Sequence, residues 1–170
     1  MSDMKAVQLI RLDPVMEESL ASDQAYMDAM VQDDWAKVAA LVHRTVGRTL
    51  TATPVSIDKL EWDGYFVVDT DTREVVGSCA FKGPPTEDGT AEIAYFTYPG
   101  FEGKGYATAM ACKLIELAAS CTRIKRVVAH TLPEENASTR VLEKVEMRFA
   151  GEVDDPEDGR VWRWQTQLEA

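Results

Sequence analysis

A glycine-rich loop between a predicted strand and a predicted helix is the part of the sequence best suited to bind a ligand. The segment FTYPGFEGKGYATAM places Gly100, Gly103 and Gly105 immediately before a long helical pattern. Glycine lets a backbone approach another group closely, and the first N–H groups of a helix have no partner inside the helix. Such N–H groups bind phosphates, and Lys104 would add a positive charge at the rim. We therefore predict an anion-binding loop around residues 103–107. The alternative is that these glycines serve only a tight turn.

Two common phosphate-binding motifs do not fit this loop. A Walker loop requires Ser or Thr after its Lys to hold Mg²⁺, but Gly105 follows Lys104. A dinucleotide-binding fingerprint reads GxGxxG, whereas Gly100, Gly103 and Gly105 have the reverse spacing. The spacing alone does not identify the anion, and a loop that holds ATP stays an alternative.

The periodicity of apolar residues predicts a single mixed α/β domain over residues 1–170, built on one central sheet. A strand over Lys5–Leu12 precedes a helical pattern from Pro14 to about Thr49, with breaks near Asp23 and Asp33. Three strands are predicted within residues 64–70, 73–83 and 89–98. After the glycine loop come a helix with an apolar stripe over 107–118, a buried strand over 123–132, a short helix from about Asn136, and a hairpin of 147–154 and 159–167.

The composition excludes several classes of partner. A net charge of −11 disfavours non-specific binding to nucleic acid or to an anionic membrane. No apolar stretch has transmembrane length, and the N-terminal segment lacks the apolar core of a secretory signal. The 3 cysteines form no CxxC motif and indicate reduced thiols in a cytoplasmic protein. With 2 distant histidines and scattered cysteines, we expect no metal site.

Two segments carry a family signature. In YPGFEGKGYATAM, Gly103 and Gly105 match the small positions of Q/R-x-x-G-x-G/A, although Gly100 replaces the usual Gln or Arg. In HTLPEENASTRVLEKVEMRFAGE, Asn136 and Ser138 precede the run RVLEK in the expected order. Over roughly residues 73–164 the chain resembles the GCN5-related N-acetyltransferase (GNAT) superfamily, in the subgroup of ribosomal-protein N-terminal acetyltransferases. The resemblance implies an α+β fold with one mostly antiparallel sheet of about six to seven strands, flanked by helices.

The resemblance implies that the anion is the pyrophosphate of acetyl-CoA, whose pantetheine would run along the strand before the loop. The residues that it assigns to the cofactor are Phe96, Thr97, Glu102, Gly103, Lys104, Gly105, Tyr106, Ala107, Thr108, Asn136 and Arg140. Asn136 is also a favoured helix N-cap, because NAST precedes an apolar run, and both roles can hold.

Acetyl transfer to an amine needs a deprotonated amine, a polarised thioester carbonyl and a protonated leaving thiolate. Glu92 is our candidate base, because in AEIAYF it alternates onto the face of Ala94 and Phe96, where apolar neighbours would raise its pKa. The alternative is an exposed strand carboxylate. Many family members place an acidic Tyr where this chain has Leu142, so the resemblance assigns Ser138 to hydrogen-bond the departing sulfur.

Other conspicuous residues have simpler interpretations. His130 fits a hydrogen-bonded core or rim histidine, and Trp162 and Trp164 fit packing within the final hairpin. That hairpin leaves monomer and homodimer both open. Cys79 has no base at matched spacing, which disfavours a covalent nucleophile. The acceptor pocket is hypothesised to include Tyr26, Trp35, Trp62 and Tyr65.

The sequence therefore predicts a cytoplasmic N-acetyltransferase that uses acetyl-CoA and works by direct transfer in a ternary complex. The acceptor is a primary amine, either a protein N-terminus or a small molecule, and the sequence does not choose between them. The alternative is an acyl-CoA-binding sensor that has lost catalysis. Three departures from the family pattern favour that alternative: Glu102 in place of a frequent Gln or Arg, Glu146 in place of Gly, and the missing Tyr.

Overall fold

The computed structural model describes residues 4–12, 14–46 and 64–168. The described part contains strands and helices in an order that matches the prediction, with the helical N-terminal pattern divided into three helices. The elements are β1 (Val7–Arg11), α1 (Pro14–Ala21), α2 (Gln24–Val31), α3 (Trp35–Val46), β2 (Gly64–Asp69), β3 (Val75–Phe81), β4 (Thr90–Thr97), α4 (Tyr106–Ala119), β5 (Arg126–Thr131), α5 (Ala137–Lys144), β6 (Arg148–Asp155) and β7 (Gly159–Gln167). The predicted break near Asp23 is the N-cap of α2, where the carboxylate accepts from the N–H groups of Ala25 and Tyr26.

The strands form one 7-stranded sheet in the order β1-β2-β3-β4-β5-β7-β6. Every neighbouring pair is antiparallel except β4 and β5, which are parallel. The predicted fold class, a mixed and mostly antiparallel sheet flanked by helices, is confirmed.

The parallel pair in the middle of the sheet is short. In β4, only Thr90–Glu92 pair with β5, where their partners are Arg126–Val128. Beyond Glu92, β4 remains paired with β3 as far as Thr97. β5 likewise continues against β7 as far as Thr131. The two strands therefore separate after Glu92, and residues 93–97 of β4 have a free edge on the β5 side.

Helices cover both faces of the sheet and bury two apolar clusters. On one face, α4 packs Ala109, Met110, Leu114 and other small or apolar residues onto the strands. On the other face, α1–α3 bury a second cluster that includes Val38 and Val42. The predicted stripe of α4 is confirmed in its middle, but it begins at Tyr106, and Ala107 is only half-buried.

Gly77 of β3 lets α4 and β4 approach closely. A Cβ at this position would lie 2.2 Å from the carbonyl oxygen of Phe96 and 2.6 Å from Cε of Met110. The Met110 side chain could move, but the Phe96 carbonyl belongs to the backbone and cannot yield cheaply, so a side chain at position 77 would disturb the packing of β3 against β4.

No helix within residues 4–12, 14–46 and 64–168 is long and apolar enough to cross a bilayer.

Candidate active site

A cleft of about 560 Å³ lies between the free edge of β4, the glycine loop and α5. Its wall contains most of the residues that the resemblance assigned to the cofactor, together with the candidate acid. These are Phe96, Thr97, Glu102, Gly103, Gly105, Tyr106, Ala107, Thr108, Ser138 and Arg140. Lys104 and Asn136 are not part of this wall. The wall also includes residues that the sequence analysis did not single out, namely Tyr95, Phe101, Ala137, Val141 and Lys144.

The N-terminus of α4 opens toward this cleft with its backbone uncapped. Gly105 is the N-cap residue, has φ +91° and is left-handed, and no side chain of the described residues caps the helix. Gly103 has φ +73°, and a Cβ there would meet no atom within 4 Å. The first N–H groups of the helix thus remain available, and the positive end of the helix dipole favours an anion at this place.

Tyr106 anchors this helix end to the sheet through its side chain. Its Oη donates to Oδ2 of the buried Asp69 at 2.5 Å. Asp69 also accepts from the N–H groups of Asp71 and Thr72 in the turn between β2 and β3. Burial and the neighbouring carboxylate raise the pKa of Tyr106 to about 12, and its hydrogen bond lowers the pKa of Asp69. From the sequence, only the backbone of Tyr106 is expected to contact the cofactor, whereas in the structure its side chain also holds the loop against the sheet.

Lys104 contacts a residue of the cleft wall, although it does not line the cleft itself. Its Nζ is 5.7 Å from the ring centroid of Phe101, a cation–π contact.

Glu92 is the last residue of β4 that pairs with β5, and it does not line the cleft. Its Oε1 is 2.8 Å from Nδ1 of His130, which donates a hydrogen bond to the carboxylate, and 3.4 Å from Nζ of Lys82. The Glu92 charge is the main cause of the raised pKa of Lys82.

The expected apolar surroundings of Glu92 are therefore wrong. The alternation of β4 is as predicted, with Ala94 and Phe96 on the same face, but two basic side chains from neighbouring strands meet the carboxylate. His130 stands two residues beyond Val128, the β5 partner of Glu92, and so shares its face. The fully exposed alternative is also wrong, because the Glu92 side chain is 25% exposed.

Asn136 caps α5, as its sequence context predicts. Its Oδ1 accepts from the N–H of Thr139 at 3.1 Å, and Oγ1 of Thr139 accepts from the N–H of Asn136 at 3.0 Å. This capping box fixes the first turn of α5, in which Ser138 is half-buried. The N-cap role of Asn136 is confirmed.

Ser138 faces a tyrosine from β4 inside the cleft. Burial raises the pKa of Tyr95 to about 12, and an interaction with the Ser138 hydroxyl partly opposes that rise. Leu142 is fully buried in the core, so no side chain from that position reaches the cleft. Tyr95 could have been noticed in the sequence, because it alternates onto the face opposite Glu92.

A second cavity of about 540 Å³ lies on the opposite face of β4, under α1–α3. Three of the residues hypothesised for the acceptor pocket, Tyr26, Trp35 and Tyr65, line it. Trp62 falls outside the described residues. Tyr95 and Phe96 contribute to both cavities, so β4 is their common wall.

The remaining candidates have structural roles. Cys79 is buried, which raises its pKa to about 12 and makes it a poor nucleophile. Trp164 is buried, and its Nε1 donates to Oγ1 of Thr131 at 3.1 Å, as a packing residue would. Among the residues that the structure describes, no group of three His, Cys, Asp or Glu side chains could hold a metal ion.

Comparisons with known proteins identify the family. The model of the acetyltransferase (GNAT) domain matches residues 8–148. The Uncharacterized N-acetyltransferase YjdG of Bacillus subtilis (strain 168) is 34% identical over 84 residues, which are 49% of this chain and 50% of that protein. The chain thus matches about half the length of this curated relative.

Two solved structures resemble the fold over nearly the whole chain. RimL, a ribosomal L7/L12 alpha-N-protein acetyltransferase in complex with coenzyme A, superposes with a TM-score of 0.64 at 16% identity and covers 95% of this chain and 94% of that one. The aminoglycoside acetyltransferase AAC(6')-Ib, in complex with coenzyme A, gives a TM-score of 0.64 at 17% identity and 95% coverage of both chains. With the family model matched from β1 to the start of β6, the chain belongs to the GNAT acetyltransferase family.

Proposed function

We propose that this protein transfers the acetyl group of acetyl-CoA to a primary amine by direct attack in a ternary complex. The observation that carries the proposal is the cleft at the free edge of β4, which brings both sequence motifs to one place. The glycine loop and the uncapped N-terminus of α4 form one wall, and α5 with Ser138 forms the other.

The residues of the cleft suit acyl-CoA. The unpaired edge of β4 offers backbone N–H and C=O groups to the amides of the pantetheine arm, near Phe96 and Thr97. The N–H groups at the start of α4 offer donors to the pyrophosphate, and the open space at Gly103 leaves room for it. Arg140 and Lys144 of α5 add positive charge to the same cleft.

The transfer forms an N–C bond and breaks the thioester C–S bond. The proton that the nitrogen loses goes to Glu92, directly or through a water. Glu92 lines neither cavity and lies two residues before Ala94, which lines the second one. Lys82 and His130 contact the Glu92 carboxylate and fix its position. The Ser138 hydroxyl hydrogen-bonds the departing thiolate, which then takes its proton from solvent. Tyr95 lines the same cleft beside Ser138 and stays protonated, because burial raises its pKa to about 12.

Reduced cysteines agree with a cytoplasmic setting, which is part of the proposal. None of Cys79, Cys112 and Cys121 forms a disulfide.

The first test is the titration of acetyl-CoA into wild type, Gly103→Ala and Gly159→Ala. Gly103 and Gly159 have φ of +73° and +74°, and a Cβ at either position meets no protein atom within 4 Å. Both substitutions therefore carry the same backbone strain of about 1–2 kcal/mol, but only Gly103 faces the cleft. We expect calorimetry to show weaker binding in Gly103→Ala alone. Equal affinity in all three proteins, or a preference of wild type for ATP, would contradict the assigned ligand.

The second test is turnover. Acetyl-CoA is incubated with a panel of amines and release of the free thiol is followed. Amine-dependent thiol release supports the enzyme. Acetyl-CoA binding without thiol release for any amine would instead assign the catalytically silent acyl-CoA-binding role.

A further inference from the structure

The cavity under α1–α3 is almost entirely apolar, although the protein is strongly acidic. Of the 29 Asp and Glu residues in the chain, Glu17 alone lines this cavity among the described residues. Its wall is built mainly from aromatic and methionine side chains. The principal ones are Tyr26, Met27, Met30, Trp35, Phe96 and Tyr98. Its volume of about 540 Å³ lies within the range of about 300–1,000 Å³ typical of small-molecule sites.

The aromatic rings of this wall pack against one another and present a continuous apolar surface to the cavity. Trp35 stacks on Tyr98 with centroids 5.8 Å apart and meets Phe96 edge-on at 4.9 Å. Phe96 is nevertheless 41% exposed, and Met27 at the rim is 43% exposed. Exposed apolar side chains around an apolar cavity are typical of a binding site, and aromatic rings prefer such edge and offset contacts.

The polar groups of a polyamine or a sugar would find few partners in this cavity. Burial raises the pKa of Tyr26 and of Tyr98, so both phenols stay neutral and neither compensates a buried cation. A polyhydroxylated or polycationic acceptor would leave several of its groups unpaired. An acceptor with one amine and an apolar body has a single polar group to pair.

The position of the cavity fits such an acceptor. Ala94 lines it, and Glu92 precedes Ala94 on the same face of β4 by about 7 Å, the repeat of two strand residues. Phe96 and Tyr95 separate the cavity from the acyl-CoA cleft. An aromatic ring seated against Trp35 and Phe96 would bring an amine on a short tether to the edge of β4, where Glu92 and the thioester would meet it.

We infer that the acceptor is a primary amine carried one or two carbons from an aromatic ring. This chemistry occurs in free arylalkylamines and at the N-terminus of a peptide that begins with an aromatic residue. The inference rests on the proposed acetyl transfer and names the substrate class of the same site.

The test compares amines of matched reactivity with the full-length protein and acetyl-CoA. Phenethylamine and tryptamine represent the free amines, a phenylalanyl peptide represents the N-terminus, and butylamine, spermidine and kanamycin are the comparison acceptors. Burial of one aromatic ring is expected to raise kcat/KM at least about tenfold over butylamine. A higher kcat/KM for phenethylamine than for the peptide would show that the acceptor is a free amine, and the reverse would show that it is a peptide N-terminus.

Met27→Glu tests the cavity directly, and Val31→Glu is its matched control. Both residues are exposed positions of α2, but Met27 lines the cavity whereas Val31, 83% exposed, does not. We expect Met27→Glu to lower kcat/KM for phenethylamine about tenfold or more and to leave the affinity for acetyl-CoA unchanged. Val31→Glu should behave as wild type.

The outcomes separate this inference from the proposed function. Preferred turnover of spermidine or kanamycin, or equal behaviour of Met27→Glu and Val31→Glu, would overturn the inference and leave acetyl transfer standing. Absence of thiol release with every amine would overturn the proposed function. In that case calorimetry of phenethylamine with the CoA-bound protein decides: binding that Met27→Glu weakens supports the aromatic-amine site, and no binding refutes it.

Discussion

The Glu92→Gln variant tests the step at the centre of the mechanism. Gln has the same size as Glu but cannot accept the proton of the amine. General base catalysis typically contributes about 10²–10⁴-fold, so kcat should fall by that factor, which corresponds to about 2.7–5.5 kcal/mol in the barrier. The affinity for acetyl-CoA should not change, because Glu92 is not in the wall of the cleft.

The same substitution should have only a small effect on folding. The ion pair between Glu92 and Lys82 has a 3.4 Å separation, and the Lys82 side chain is 43% exposed. Ion pairs as exposed as this one contribute about 0–1 kcal/mol to the free energy of unfolding. The Gln side chain also keeps an oxygen that can accept the hydrogen bond from His130. For a chain of this size, 1 kcal/mol shifts Tm by about 2–4 °C, so a loss of turnover at nearly unchanged Tm would locate the defect in chemistry.

The assay measures kcat from thiol release and Kd for acetyl-CoA from calorimetry, for Glu92→Gln and for Glu152→Gln. Glu152 is a matched control: it is a strand carboxylate whose Oε1 lies 3.4 Å from Nε of Arg160, and it belongs to β6, which β5 and β7 separate from β4. Turnover in Glu92→Gln within about threefold of Glu152→Gln would refute Glu92 as the base. A tenfold change in Kd would instead show that Glu92 acts by positioning the cofactor strand.

Three further variants test the scaffold and the leaving-group step. Tyr106→Phe should lower the unfolding free energy by about 1.5–3 kcal/mol at pH 7, since a buried carboxylate loses a donor. The pKa of Asp69 is lowered in the fold, so this stabilisation is present above its unfolded pKa of about 3.9 and lost as pH falls through the folded value. Urea denaturation should show a gap between the two proteins that narrows below about pH 4, and a gap that persists in acid would contradict the assigned bond. Gly77→Ala places a Cβ 2.2 Å from a β4 carbonyl oxygen, so thermal melting should show a loss of about 1–3 kcal/mol and calorimetry weaker acetyl-CoA binding. Gly64→Ala, with its closest atom at 3.9 Å, is the control, and equal melting of the two would contradict the close approach. Ser138→Ala should lower kcat by up to about 10²-fold at unchanged Kd, and unchanged thiol release would remove Ser138 from the mechanism.

Local sequence signals predicted the elements and the glycine loop. Each depends on residues close in the chain: apolar spacing for α4, an Asn before an apolar run for α5, and glycines where the backbone turns left-handed. Gly103 and Gly105 do have positive φ, as a loop that opens toward a ligand requires. Strand alternation also placed Glu92 on the correct face.

The contacts around the predicted site could not be read from local signals. Lys82 and His130 reach Glu92 because the register of three strands brings them together. The bond between Tyr106 and Asp69 spans 37 positions in the chain. Spacing rules give the face on which a side chain lies, but the neighbour that it meets there depends on the assembled sheet.

Two departures from the family pattern, at Gly100 and Leu142, do not require that catalysis has been lost. Gly100 has φ +97°, a conformation in which Gln or Arg would be strained. The backbone of this loop therefore turns at the position where the family pattern has a Gln or Arg side chain. Positive charge for the pyrophosphate is available instead from Arg140 and Lys144 on α5. The core offers no space for an acid at Leu142, which is fully buried, but Tyr95 enters the cleft from the opposite wall and meets Ser138 there. The cleft thus keeps two hydroxyl side chains, Tyr95 and Ser138, beside each other next to the free edge of β4, and together with the match to the acetyltransferase domain this makes the enzyme the better explanation of the cleft.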